Sequence, residues 1–284
     1  MSETTEDNGQ PAKRGLQNRH VQLIAIGGTI GTGLFMGAGN SIHYAGPAIL
    51  LVYLTIGLFM FVMMRAVGEL LYADPTQHTF ITFITRYIGN RTGFFARWSY
   101  WLTIVFMGMA ELTAVAKYIQ YWLPGMPSWL IQIIMLVVLT SVNLVAVALY
   151  GETEFWFAMI KIVAILALIV TGIIMALTGF KTPVGDVAFS NVWQHLSLFP
   201  NGVGNFINAF QMVMFAFVGM EFIGMTTAET DNPRAVLPKA INQIPWRILF
   251  FYLGALFIIM TIYPWQKIPA DQSPFVMEIG RASC

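Results

Sequence analysis

Gly27-Gly28-Thr29-Ile30-Gly31-Thr32-Gly33 stands inside an apolar stretch running from about residue 20 to residue 46, and Gly37 and Gly39 follow it. A glycine in a helix interior costs roughly 1 kcal/mol relative to alanine, and lipid offers no substitute for the backbone hydrogen bonds such a cluster weakens. Two accounts fit. Gly27 with Gly31, and Gly33 with Gly37, match the small-xxx-small spacing of closely packed helices; alternatively, the helix unwinds there and lines a site. A second stretch, Phe217-Val218-Gly219-Met220-Glu221-Phe222-Ile223-Gly224, sets two glycines around a carboxylate in another apolar run. An acid at membrane depth is costly and points to function, with a buried structural hydrogen bond as the plainer reading. Interrupted hydrophobic segments at corresponding positions of two repeats mark the binding site of a secondary transporter, and the pair favours unwinding.

The composition agrees with a membrane setting. Of 284 residues, 57% are hydrophobic and 10% charged, with a mean hydropathy of +0.67, whereas a soluble domain carries roughly a quarter charged residues. An ordinary water-soluble enzyme is excluded. The net charge of +1 supplies no field for a polyanion, so no nucleic-acid partner is expected. Cys284 is the single cysteine, which excludes an internal disulfide framework and a cysteine-based metal site. Neither HExxH nor GxSxG occurs, and Gly31-x-Gly33 follows no strand, so no enzyme, metal or dinucleotide signature is present.

Counted against the ~20 apolar residues that a membrane helix needs, seven spans are expected, at about 20–46, 47–71, 98–122, 127–150, 155–179, 203–228 and 248–265. The alternating period of a membrane β-barrel is absent, leaving an all-α polytopic membrane protein. With the N-terminus inside, Lys and Arg at cytoplasmic loops and helix ends outnumber those outside ten to four, setting Lys161 aside. This gives a cytoplasmic tail at 1–19, cytoplasmic connections at 72–97, 151–154 and 229–245, and a long outer loop at 180–202. The tail shows no cleavable signal peptide. His20, His43, His78 and His195 fall at boundaries or in loops, and Trp98, Trp101, Trp122, Trp129 and Trp265 fall near interfaces as anchors.

Spans one and six start five helices apart, an odd number, so five-helix repeats beginning at each have opposite topology. If the inner half of span one ends near Gly27 and its outer half begins near Gly33, carbonyls and N–H groups face one site. The N–H groups of Thr32, Gly33 and Leu34 can receive a carboxylate. Carbonyls around Gly27 and at Phe217, Val218 and Gly219 can receive an ammonium. A zwitterion fits both ends, with Gly28, Thr29, Gly31, Thr32 and Gly33 as its span-one contacts, and bare glycines let the backbone approach it.

The segments RHVQLIAIGGTIGTGLFMGAGNSIHYAGP, MRAVGELL, GETEFWFAMIKIVAI and FAFVGMEFIGMTTAETDNPRAVLPKAIN resemble the amino acid transporter family of the amino acid, polyamine and organocation (APC) superfamily. The resemblance runs from Arg19 to Val276. EFWFAMIKIVAI and the SPFV after span seven bring it nearest to the D-serine, D-alanine and glycine permeases; permeases for aromatic amino acids, proline and GABA share most of these motifs. It implies a LeuT-like fold, proton-coupled uptake of amino acids and a cytoplasmic N-terminus. A cell-membrane location is expected, with the amino acid and the lipid bilayer as partners, no cofactor beyond a coupling proton, and no obligate protein partner evident in the sequence. The resemblance also implies about twelve spans. The chain is therefore expected to hold the first repeat (20–179) and the start of the inverted second (203–265), with 266–284 outside. It looks truncated, and alone it is expected to transport poorly or not at all.

Lys161 lies ~10 Å inside the membrane if span five begins near Glu154, and on position alone it either snorkels back to the interface or acts within the protein. In proton-coupled relatives, the resemblance implies, a lysine at the FAMIK position stands where sodium-coupled members bind an ion. Lys161 is the candidate proton-coupling residue, since a buried lysine can have its pKa lowered enough to release a proton, and Glu111 and Glu221 compete with it for the role. Glu111 and Lys117 do not share a face of span three, so Glu111 needs a partner on another helix; an interhelical packing bond is its plainer reading. Glu221 faces either the ligand amine or the proton path. The expected function is a proton-coupled permease for small neutral amino acids such as alanine, serine or glycine. The alternatives are a seven-helix receptor, which carries its N-terminus outside, and a channel.

Overall fold

The computed structural model describes residues 23, 26–74, 77, 79–146, 150–182, 185–193, 197, 199–223, 233–268, 270 and 273–275. The expected N-terminal tail, the segment after Ile223 up to Pro233 and the last nine residues lie outside them.

Span one is assembled from pieces. A helical turn at 26–29 gives way at Ile30 and Gly31, α1 (Thr32–Phe35) follows, and after Met36 α2 (Gly37–Ala45) completes it. Gly46, at φ 56°, and Pro47 turn the chain into span two, α3 (Ile49–Ala73). A short helix α4 (Phe80–Tyr87) then stands inside the segment expected to be a plain connection, its first turn capped by the Thr79 hydroxyl, which accepts from the Ile81 amide at 3.3 Å. The loop before it is held by Arg86, whose guanidinium donates to Asp74 at 3.3 Å.

Span three, α5 (Asn90–Trp122), begins eight residues before its expected start at 98. Span four is α6 (Ser128–Ala146) and span five is α7 (Tyr150–Thr178), so 151–154 is helical where a connection is expected. The long loop at 180–202, expected to lie outside, is also more ordered than expected. It holds a two-stranded antiparallel hairpin, β1 (Lys181–Thr182) with β2 (Gly185–Asp186), and the short α8 (Ser190–Trp193). Asn191 fastens it to span seven by donating to Thr261 O at 2.9 Å.

Span six is α9 (Val203–Ala216) followed by an irregular stretch to Ile223, and span seven is α10 (Pro233–Ile262). Here the structure corrects the sequence. The connection expected up to Pro245 is helical from Pro233, with Pro238 and Pro245 inside the helix. Proline removes a backbone donor and ordinarily ends a helix, but Leu237, Ile241, Ile244 and Ile248 are all buried on both sides of Pro245, and that packing keeps the helix running.

Spans one, two, six and seven form the packed centre, with span five against span seven. Close approach depends on missing side chains. Gly57 of span two faces Leu249, and Gly68, the glycine of MRAVGELL, faces the Cδ1 of Ile241. Spans three and four pack against each other at the periphery, and only 11% of the most apolar window of span three is buried. By length and apolarity, four described stretches suffice to cross a membrane: Gly37–Ala73, Asn90–Trp122, Phe155–Thr178 and Arg234–Ile262; Ser128–Leu144 and Val203–Ala216 are shorter. Gly37–Ala73 joins the later part of span one to span two, and the described helices of spans four and six are the two shorter ones.

Candidate functional site: two interrupted helices

The interruption in span one is local. Ile30 still donates to Ile26 O at 3.0 Å, then Gly31, extended at φ −134° and ψ −155°, breaks the course, and Leu34 and Phe35 both return to Gly31 O. In span six the helix tightens after Ala216 into successive three-residue turns: Phe217 to Met214 O, Val218 to Phe215 O, Met220 to Phe217 O, Phe222 to Gly219 O. Gly219 sits there at φ +99°, a conformation that disfavours any side chain. A Cβ on Gly219 would also lie 2.9 Å from Gly28 O, so the two interruptions touch backbone to backbone.

The glycines of span one divide between the two accounts. Gly27 and Gly33 are packing residues, because a Cβ would strike Ala158 of span five and Ala216 of span six. Gly31 leaves room for a carboxylate, its Cβ position lying 2.7 Å from Glu111 Oε1. Gly28 is exposed, and a Cβ there would meet nothing nearer than the Phe222 ring at 3.5 Å.

Each charged candidate meets an interruption. Glu111 Oε1 accepts from the Thr32 amide at 3.1 Å and from the Thr32 hydroxyl at 3.0 Å. The Lys161 ammonium donates to Gly27 O at 3.0 Å, so it reaches across to span one instead of snorkelling. Glu221 Oε2 accepts from the Gly219 amide at 3.0 Å and closes its own turn. The three N–H groups expected to stand open are thus partly engaged: Thr32 holds Glu111 and Leu34 returns to Gly31. Phe217 is wholly buried among Tyr53 and Tyr252, and its carbonyl accepts from Met220. Thr29 O takes a hydrogen bond from the Tyr252 hydroxyl at 2.9 Å. Sequence reasoning passes over Tyr252, because one aromatic residue among the phenylalanines of an apolar helix carries no signal.

Beside Thr32 and Gly33 opens a cavity of about 550 Å³, walled by Met109, Thr113 and Lys117 of span three and by Met212 and Phe215 of span six. That volume suits a small-molecule site, typically about 300–1,000 Å³. Lys117 lines it while Glu111 turns to Thr32, consistent with the two occupying different faces of span three. Among the described residues no cluster of His, Cys, Asp or Glu is arranged to hold a metal ion.

Residues 20–282 match the family model described as amino acid permease. The chain belongs to the amino acid permease family. It is 58% identical to a DL-alanine permease of Lactococcus lactis subsp. cremoris over 267 residues, 94% of this chain and 58% of that relative. It is 54% identical to an amino-acid permease of Bacillus subtilis over 279 residues, 97% of this chain and 60% of the relative. With a D-serine/D-alanine/glycine transporter of Escherichia coli K12 it shares 47% over 268 residues, 94% of this chain and 57% of the relative. The chain therefore spans 57–60% of these relatives' length. Membership of this family, with the apolar helices, makes it a multi-pass membrane protein of the all-α class.

Proposed function

We propose that this chain carries the substrate-binding half of a proton-coupled permease that imports small neutral amino acids by alternating access, with its N-terminus in the cytoplasm. One observation carries the reading: the Thr32 amide and hydroxyl, at the start of the half of span one beyond the interruption, already grip a carboxylate, that of Glu111. A free amino acid offers the same group. When its carboxylate takes the two Thr32 donors, Glu111 gives them up and is the group to which the coupling proton is assigned. The carboxylate oxygen of Glu111 then binds one proton, and substrate and proton enter together. The amine end of the cargo faces carbonyls of the two interruptions, near Gly28 O and the turn at Phe217, Val218 and Gly219. Lys161 holds the inner segment of span one through Gly27 O, as a fixed cation.

Relatives named for alanine, serine, D-serine, D-alanine and glycine support a small cargo. Two moving charges are not needed: one net charge driven inward is worth about 2.3 kcal/mol per 100 mV, against about 1.4 kcal/mol for each tenfold of concentration. The test is binding of labelled alanine, serine, glycine and a bulky aromatic amino acid to the purified chain, with proton uptake followed in weakly buffered solution. The expected result is saturable binding of the small amino acids with protons taken up in step. Binding without proton uptake would remove the coupling assigned to Glu111, and no binding of any amino acid would remove the reading altogether.

A further inference from the structure

Tyr252 of span seven has no part in the function proposed above, yet its hydroxyl reaches both interruptions. The residue is wholly buried, its ring edge-on to Tyr53 at 5.6 Å and to Phe217 at 5.1 Å. The hydroxyl lies 2.9 Å from Thr29 O and 2.6 Å from Ala216 O. Thr29 is the last residue of the helical turn before the interruption of span one, and Ala216 is the last residue of α9 before that of span six. Both partners are carbonyls and can only accept, whereas a phenol carries one proton. One proton thus serves the end of each interrupted helix, in a place water does not reach.

We propose that Tyr252 is a positioning residue that links the two interruptions, its single hydroxyl proton passing between Thr29 O and Ala216 O as one broken helix moves relative to the other. The link follows from the competition: a tilt that carries Ala216 O away leaves the proton to Thr29 O, and the reverse tilt returns it. Neither movement strips the hydroxyl of a partner, so the buried donor is satisfied throughout. Where it concerns transport, this rests on the proposed function; as a property of the fold it does not. The neighbouring Tyr53 supplies a control within the same ring cluster. Its hydroxyl is buried and has no hydrogen-bond partner among the described residues, so it contributes packing without the link.

The test is hydrogen–deuterium exchange read by mass spectrometry on the purified chain in lipid nanodiscs, comparing wild type, Tyr252→Phe and Tyr53→Phe, each with and without L-alanine. Without ligand, Tyr252→Phe is expected to speed exchange about fivefold, the equivalent of one ~1 kcal/mol hydrogen bond, in both 29–35 and 216–222, while Tyr53→Phe speeds neither. With L-alanine, the two segments are expected to respond together in the wild type and separately in Tyr252→Phe. Acceleration in one segment alone, in neither, or equally in Tyr53→Phe would overturn the link. A wild type indifferent to L-alanine would count against the proposed function, while the unliganded comparison still decides the tyrosine. Should Tyr252→Phe fail to fold, carbon-13 labels on the Thr29 and Ala216 carbonyls of the unaltered chain give the same answer by NMR. Deuteration of the tyrosine hydroxyl shifts both signals if the proton is shared, and a shift in one alone would overturn the link.

Discussion

Thr32 gives both of its donors, amide and hydroxyl, to a single oxygen of Glu111, a residue seventy-nine positions away on span three. The carboxylate is the negative partner of the amide end of the interrupted helix, and it is held by charge-assisted bonds, each typically worth about 1.5–3 kcal/mol. Glu111→Gln keeps an oxygen that can accept and removes the charge that can take up a proton. The variant is expected to fold and to bind amino acid with no accompanying proton uptake. Binding whose proton stoichiometry equals that of the wild type would assign coupling to another residue.

Gly31 and Gly33 are two residues apart and are expected to respond differently to alanine. At Gly33 the new methyl meets the backbone of Ala216, which cannot yield without moving span six, so Gly33→Ala should cost about 1–3 kcal/mol as an overpacked core. At Gly31 the methyl meets only the far end of the Glu111 side chain, at 2.7 Å, which can turn away. Gly31→Ala should therefore spare the packing of spans one and six and lose instead the Thr32–Glu111 bonds. Denaturant titration of each variant alone and combined with Glu111→Gln separates them: the loss from Gly31→Ala should shrink in the Glu111→Gln background and that from Gly33→Ala should not, and equal behaviour would contradict the division of the glycines into packing and site residues.

How much of this is legible in the sequence depends on chemical contrast. The interruptions stand out because glycine pairs and a lone carboxylate are anomalies inside apolar runs, and Lys161 stands out for the same reason. The partner of Glu111 is not legible, since which helix faces span three is decided by tertiary packing. Tyr252 is hidden by its neighbours Phe250 and Phe251: only the assembled fold shows that one ring of the three carries a hydroxyl between two carbonyls. The start of span seven is misread because Pro238 and Pro245 are strong local stop signals, and burial on both sides outweighs them.

The contact of Gly68 with Ile241 allows a compensating pair. A Cβ on Gly68 would collide with Ile241 Cδ1, whereas Ile241 Cγ1 lies 3.0 Å away. Gly68→Ala alone is expected to destabilise the packing of spans two and seven by about 1–3 kcal/mol. Ile241→Val removes Cδ1, the colliding atom, and alone costs about 0.5–1.5 kcal/mol. Together they should cost less than their sum, with a coupling of at least about 0.5 kcal/mol, as expected for residues in contact. Thermal unfolding of the four proteins in one detergent measures it, and strict additivity would show that the collision is relieved elsewhere.

Lys161 and Gly27 O, 3.0 Å apart, tie span five to the N-terminal segment of span one. The neighbouring contact of Gly27 with Ala158, one helical turn before Lys161, holds the same two spans by packing, so the ammonium is not the sole tie and its removal should leave the fold standing. Lys161→Met keeps the length and much of the apolar stem but donates no hydrogen bond. It is expected to unfold at nearly the wild-type denaturant concentration, yet to show faster hydrogen exchange around Gly27 to Ile30 and weaker binding of alanine, because the carbonyl end of the site is no longer fixed. Lys161→Arg, which keeps a fixed charge that cannot be given up, should restore the exchange protection. If proton uptake on binding also persists in Lys161→Arg, the coupling proton resides on a group other than Lys161, as the Thr32–Glu111 geometry favours; if it vanishes while binding remains, Lys161 is the group that carries it.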